Sequence, residues 1–523
     1  MSDNQYVLVL YDIRAKQNFI FRTNHMKEII GASAIIRDCF KDYLFPQARQ
    51  VGKGIFPGEN DVREPFSRET FEKHLADGYI GEVVYDGGGN FILLYKDVET
   101  YRKVTYEFTK EVLKKVGTLR VLSSYIEGVN FDDYKEDSRK LYAAHAINEN
   151  KESNIAPWST LPIVQVDRRT SMPLVGKLHT ENAMEKLSKE SIAKIEKYHQ
   201  EAKERQSEFD EKQIDRLVRK KGEDSLLAIV YIDGNNMGAQ VQQCIAGKQT
   251  YEECVAALRD FSLNIQKNYI DDRKENLYGF LAEKTNKSSM YKWRLVLGAG
   301  DEINFICNAH DAFDLARTYL ESLPKGCSSC AGIAVFHSHA PYADVYRIAE
   351  ECCESGKQLM KELGIKDANF IDFHYCQSAI DVSLEQIRQT EDNAKNSLPW
   401  FIPRKANFEN RTSDVENEKQ IIQLIHEKGK FAYEDVKNML ELLHLMGRSN
   451  VKGLATVAKD SLAALRLDLK RIEAHMNDNN REMVRQLAEE KGINIDKLSE
   501  EQRRLIYDLS TSYDLWFKGE KDV

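Results

Sequence analysis

Positive charge is in deficit in this chain: 74 Lys and Arg stand against 83 Asp and Glu, a net charge of −9 over 523 residues. A protein that coats nucleic acid without regard to sequence is thereby excluded, and any nucleic-acid surface has to be a local patch. Apolar runs of membrane-spanning length are missing, and the opening Met1-Ser2-Asp3-Asn4 lacks the basic region of a secretory signal. Cysteine is sparse: nine residues, an odd number, in no regular framework. That excludes a disulfide scaffold and fits a reducing compartment, so the cytoplasm is the expected location and no membrane partner is expected. What remains is ordinary globular composition, 42% hydrophobic and 30% charged. Such a length suits roughly two to four domains with separate cores.

One split pattern carries chemistry. Leu226-Leu227-Ala228-Ile229-Val230-Tyr231-Ile232-Asp233-Gly234-Asn235-Asn236-Met237-Gly238 reads as a buried strand that stops at a carboxylate. Arg294 to Cys307 reads as a hairpin, with Gly298-Ala299-Gly300 giving the turn its freedom and Asp301-Glu302 projecting from the tip. If the first strand lies beside the hairpin, Asp233, Asp301 and Glu302 converge. Hard oxygen donors on rigid strand ends suit Mg²⁺ or Mn²⁺ in a two-ion site that shares its shell with phosphates. Taken singly, each half is equally well explained as turn and capping residues.

The same order of elements occurs twice. Gln5 to Asp12 is a strand, a helical stretch follows through Ile36, and residues 51–70 form a loop. Glu82 to Tyr95 is a hairpin around Gly87-Gly88-Gly89-Asn90, followed by a helix near 97–117 and a strand near 119–127. The second copy runs from the Leu226 strand through a helix at Tyr251–Tyr269, the 294–307 hairpin and a helix at Ala309–Leu323. It ends in a strand at Cys330–Phe336. This predicts an α+β chain with two ferredoxin-like units, and only the second hairpin carries acids at its tip. Between the copies, 156–178 reads as irregular and 181–221 as a charged, solvated helix ending in the basic cluster Arg216-Leu217-Val218-Arg219-Lys220-Lys221. Tyr342 to Leu363 reads as a helix, a linker with Pro399 and Pro403 follows, and leucine stripes from about 415 to 517 predict a helical bundle.

With both copies in view, the sequence resembles the large tandem-palm subunit of type III CRISPR effector complexes. Tyr11-Asp12-Ile13-Arg14-Ala15-Lys16-Gln17-Asn18-Phe19 looks like the opening of the first palm and Gly87 to Phe91 like its Gly-rich hairpin. Asp233 to Gly238 is similar to the second palm's metal strand, and Gly300-Asp301-Glu302 stands where the family has Gly-Gly-Asp-Asp. Ala331-Gly332-Ile333-Ala334, Ala349-Glu350 with Lys357, and Leu445 to Leu454 match later segments. The resemblance implies two facing palms: 1–150 the first, 151–224 a linker and charged helix, 225–398 the second with the metal site, and 399–523 a helical domain. It implies joining of NTPs, chiefly ATP, into a cyclic or short oligonucleotide, with RNA or CRISPR-type effector subunits as partners; a homo-oligomer is left open. Asp233 would bridge the ions, Asp301 and Glu302 would complete the shell, and Lys357 would neutralise phosphate. Gly234, Asn235, Asn236, Gly300, Cys330, Gly88, Gly89 and Asn90 would line the nucleotide sites.

Four departures from the family stand out. Asn235 replaces a second metal-strand acid, so an Asp there is expected to raise metal affinity. The turn ends in Asp-Glu, as in the related GGDEF cyclases. Cys330 replaces a Ser in the region that faces the base. The HD nuclease domain is expected to be absent, and the lone His310-Asp311 reads as a helix start. Many relatives also hold a zinc between the palms, but here no cysteine occurs from 40 to 243. Cys327-Ser328-Ser329-Cys330 lacks a second pair, and His337 and His339 lie beyond a strand, so no zinc is expected. A palm weakened by Asn235, serving as a scaffold for ribonucleoprotein partners, is the competing reading.

Overall fold

The computed structural model describes residues 6–516 apart from 59–60, 62–63, 88, 152–162, 181–183, 205–215, 219–224, 276, 278–292, 377–381, 392–395 and 405–410. The fold is α+β. A first sheet takes β1 (Tyr6–Arg14), β2 (Ile55–Phe56), β3 (Gly81–Gly87), β4 (Asn90–Tyr95) and β5 (Arg120–Val129) in the order β2-β3-β4-β1-β5. A short hairpin pairs β6 (Leu174–His179) with β7 (Met184–Ser188). The last sheet takes β8 (Leu226–Gly234), β9 (Trp293–Ala299), β10 (Glu302–Asn308), β11 (Ser329–His337), β12 (Asn369–Tyr375) and β13 (Trp400–Ile402) in the order β13-β12-β11-β8-β10-β9. In both large sheets the first strand of the repeat is central, flanked by the last strand and by the hairpin's second strand. That is the ferredoxin-like order predicted from the repeat. Central strands are buried on both faces, which is why β1 and β8 read as nearly continuous apolar runs.

The chain divides into two compact bodies built from interleaved segments. The first takes residues 1–207, 236–270 and 296–301; the second takes 208–235, 271–295 and 302–523. Helices of the first body include α1 (Met26–Cys39), α2 (Val98–Lys115), α3 (Tyr134–Lys151), α4 (Lys189–Glu204), α5 (Met237–Ala246) and α6 (Tyr251–Ile265). Its core joins Tyr6, Leu8 and Leu10 of β1 to Tyr251, Cys254, Val255 and Leu258 of α6. The Arg259 guanidinium adds bonds to Glu82 Oε1 at 2.7 Å and the Val83 carbonyl at 3.0 Å. The helix that follows the β8 segment is therefore packed with the first sheet's strands.

Several expectations are corrected here. The stretch read as irregular holds the β6 strand, whose exposure alternates residue by residue, and β7 continues into what was read as helix. Pro157, Pro162, Gly88 and part of the basic cluster at 216–221 lie outside the described residues. The charged helix is not a solvated face. In α4, Lys194 is fully buried and donates to Glu190, and Lys197 bridges Asp38 at 2.7 Å and Asp42 at 2.8 Å. Gly31 of α1 makes this possible, because any Cβ there would collide with the Lys194 carbonyl. Dense charge predicts exposure, but complementary charges on two helices remove each other from water. The expected Pro399–Pro403 linker contains β13, paired antiparallel to β12.

The second body adds α7 (Ala309–Glu321) and α8 (Tyr342–Glu362) to its sheet. A run of helices then extends from Arg411–Glu427 to Glu500–Thr511. His310 and Asp311 sit in the first turn of α7, where Asn308 caps the helix by accepting from the His310 N–H at 3.1 Å. No helix among the described residues is long and apolar enough to cross a membrane.

Candidate active site at the end of the second sheet

β8 and β10 pair antiparallel with Ile303 opposite Ile232. Continued by one residue, that register sets Glu302 opposite Asp233, so both carboxylates lie on one face of the sheet. In the first sheet the equivalent positions are Asp12 and Asn90, which pair directly. At this register position the two copies differ, Asp with Glu in one and Asp with Asn in the other. Asp12 has the Arg14 guanidinium beside it, Nη1 at 3.1 Å, and His145 Nε2 lies 3.6 Å away. Gly89 takes φ 79° in the β3–β4 turn, with the Lys16 side chain lying against it.

A third element reaches the second site. Gly332 of β11 stands opposite Tyr231 of β8, and a Cβ at Gly332 would collide with the Ala349 carbonyl of α8. The bare backbone lets α8 lie directly on the sheet. From that helix Lys357 Nζ donates to Asp233 Oδ2, and Tyr346 donates to Glu302 Oε1 at 3.1 Å. Residues 346 and 357 are eleven apart, about three turns, and so share a helix face. Burial opposes the Lys357 charge, but Asp233 outweighs it and holds the ammonium above its ordinary range. The pair stays open to solvent, with side chains 22% and 24% exposed. Tyr231 is pushed well up by burial, then by Glu302 and Asp233, so it stands here as a neutral phenol.

The other expected site residues fall differently. Gly234 ends β8 opposite Ser329. Asn236 is exposed, takes φ 58° and starts α5, and Gly300 takes φ 64° in the β9–β10 turn. Asp301 follows it in that turn and belongs to the first body, where its charge, after burial and Tyr142, helps raise the Tyr85 phenol. Asn235 is fully buried: its amide donates to Ser328 Oγ at 3.1 Å and to the Ala368 carbonyl at 3.0 Å. The expectation of a weakened metal ligand at 235 is corrected, since the side chain is committed to the fold. Cys330 is opposite Asp233 but fully buried under Gly356 of α8, with burial pushing its thiol up to about 12. It leaves no surface for a nucleobase to touch. Tyr346 and Asn304 were missed; the signals were an Asn two residues after Glu302 on the same strand face and a Tyr three turns ahead of Lys357.

Among the described residues, no group of three or more His, Cys, Asp or Glu is gathered as a protein-only metal shell. A pair of opposed carboxylates beside open solvent nonetheless fits Mg²⁺, which takes one or two protein carboxylates and completes its shell with water and phosphate. The Cys327–Cys330 pair and the two histidines at and just beyond the end of β11 are not gathered into a metal-binding group among the described residues. Cys330 and His337 lie near opposite ends of β11, about 23 Å apart at roughly 3.3 Å per residue. Elemental analysis of purified protein is expected to find no stoichiometric zinc; about one per chain would reveal a ligand set built elsewhere.

No family model and no curated protein matches the chain. Solved structures overlap with it at low identity. A Csm1–Csm4 cassette in complex with one ATP shares 13% identity over 71% of this chain and 55% of its own, with a TM-score of 0.44. A Csm1–Csm4 cassette in complex with cA4 shares 12% over 97% of this chain and 70% of its own, with a TM-score of 0.45. Csm1 in T. onnurineus shares 14% over 70% of this chain and 53% of its own, with a TM-score of 0.41. The chain spans 55% and 53% of the first and last of these.

Proposed function

We propose that the second sheet carries a metal-dependent nucleotidyltransferase site that joins NTPs, ATP foremost, into a cyclic or short linear oligonucleotide signal. The setting would be a CRISPR-like or other anti-phage defence, with RNA or effector subunits as partners. The observation that carries this reading is the β8–β10 register, which continued by one residue sets Glu302 opposite Asp233. Asp301, which precedes Glu302 in the turn, is the third acceptor of the sequence reading.

In the proposed reaction a 3′-hydroxyl oxygen bonds to the α-phosphorus, the bond from that phosphorus to the bridging oxygen breaks, pyrophosphate leaves, and the hydroxyl proton passes to solvent. Two divalent ions, when bound, supply the positive charge that such a displacement needs on its attacking and leaving oxygens. The chain's own parts then have distinct tasks. Asp233 and Glu302 present hard oxygen from rigid strands. Lys357, released from Asp233, offers its charge to phosphate.

Purified protein incubated with each labelled NTP and Mg²⁺ or Mn²⁺, with products resolved by mass, tests the proposal. Formation of a phosphodiester-linked product from ATP is the expected result. Lys357→Met should lower turnover by about a hundredfold, as for loss of a charge-stabilising donor. The same change should leave Mn²⁺ binding no weaker, because a competing cation has been removed from Asp233. Loss of Mn²⁺ binding in Lys357→Met would show that the lysine builds the site instead of competing for it. Asp12→Ala and Asn90→Ala should change turnover by less than about tenfold. If either eliminates it, the asymmetric reading of the two copies fails.

One observation favours the scaffold reading: Asp233 is already engaged by the Lys357 ammonium. No product from any NTP, together with no Mn²⁺ binding in the presence of ATP, would establish it.

A further inference from the structure

The carboxylate of Glu302 is held from two directions on one oxygen. Asn304 Nδ2 donates to Glu302 Oε1 at 3.0 Å, and the Tyr346 hydroxyl donates to the same atom at 3.1 Å. Asn304 Nδ2 also lies 3.4 Å from the Tyr346 oxygen, closing a three-membered network. Both supporting groups are removed from water, Asn304 at 1% exposure and Tyr346 at 3%. The Tyr346 ring is itself fixed edge-on to Tyr231, with centroids 5.4 Å apart and planes at 87°. Tyr231 stands opposite Asn304 on one side and Gly332 on the other. The depth at which α8 meets Gly332 therefore sets where the phenol oxygen reaches.

A glutamate on a strand end has three rotatable bonds and would otherwise sample several positions for its oxygens. Donors fixed in a packed core remove that freedom before any cation arrives, and such outer-shell partners typically change metal affinity ten- to a hundredfold. We infer that Tyr346 is a positioning residue: its hydroxyl, with Asn304, locks Glu302 in the orientation that receives a divalent cation. The inference rests on the metal reading of the Asp233–Glu302 site. It assigns α8 two tasks on one face, an ammonium for Asp233 and a hydrogen-bond donor for Glu302.

The test is a double-mutant cycle on the full chain, read by Mn²⁺ binding in electron paramagnetic resonance and, separately, by the Mn²⁺ concentration that half-saturates NTP turnover. Tyr346→Phe keeps the ring against Tyr231 and removes only the hydroxyl. It is expected to weaken Mn²⁺ binding about tenfold, with little change in turnover at saturating Mn²⁺. In a Glu302→Gln background the same change should have no further effect, because the group it positions has lost its charge. Full additivity of the two changes, or Tyr346→Phe binding Mn²⁺ like the parent, would overturn the inference. Absence of Mn²⁺ binding in the parent, with and without ATP, would overturn it together with the metal reading. Non-additive Mn²⁺ binding without NTP turnover would uphold Tyr346 and reject the nucleotidyltransferase. Turnover with an unshifted metal requirement in Tyr346→Phe would do the reverse.

Discussion

Replacing Asp301 and Glu302 together by Ala is expected to abolish Mn²⁺-dependent NTP turnover, a loss on the order of a thousandfold or more. Both residues lie at the β9–β10 turn, and both are only half-buried. The double change removes the carboxylate that the register sets opposite Asp233 and its neighbour in the turn, leaving Asp233 paired to Lys357. Stability should suffer little. Loss of Glu302 deprives Tyr346 and Asn304 of one shared acceptor, a cost of about 1–2 kcal/mol. Thermal unfolding alongside the labelled-NTP assay separates chemistry from folding. Retained turnover in a folded double variant would remove this turn from the mechanism, and Asp301→Ala alone should already account for most of the loss.

Asn235→Asp is expected to destabilise the second body by about 2–4 kcal/mol and to leave metal affinity unimproved. The isosteric change exchanges a donor for an acceptor. At present the amide gives its hydrogens to Ser328 Oγ and the Ala368 carbonyl, while the backbone N–H of Asn235 bonds the Ser328 carbonyl at 2.9 Å. A carboxylate would face that Ala368 carbonyl with no proton to offer, in a position without solvent exposure. Urea unfolding measures the first effect and Mn²⁺ titration the second. Unchanged stability with tighter Mn²⁺ binding would reinstate position 235 as a ligand site.

What the expectation at 235 lacked was distance in sequence. Residues 233 to 236 read as one polar turn, and nothing local distinguishes Asp233, which stays half-exposed, from Asn235, which points into the fold. The distinction comes from Ser328 and Ala368, on loops 93 and 133 residues away. Cys330 is a parallel case: its buried place is set by Gly356, a helix residue that leaves room for the sulfur.

By itself the sequence determined the doubled strand–helix–hairpin order and the hairpin turns. It also determined that acids occur at only one tip. These depend on local rules: two-residue alternation or short apolar runs for strands, and glycine at positive φ for Gly89 and Gly300. Tertiary structure alone decided which charged groups leave water and which carboxylates share a face. Lys194 is buried because Gly31 admits its helix, and α6 joins the β1 core through residues about 245 positions away from β1. Glu302 meets Tyr346 because Gly332 lets α8 touch the sheet. Burial and opposition are properties of pairs, and a linear sequence names the members of a pair without saying that they meet.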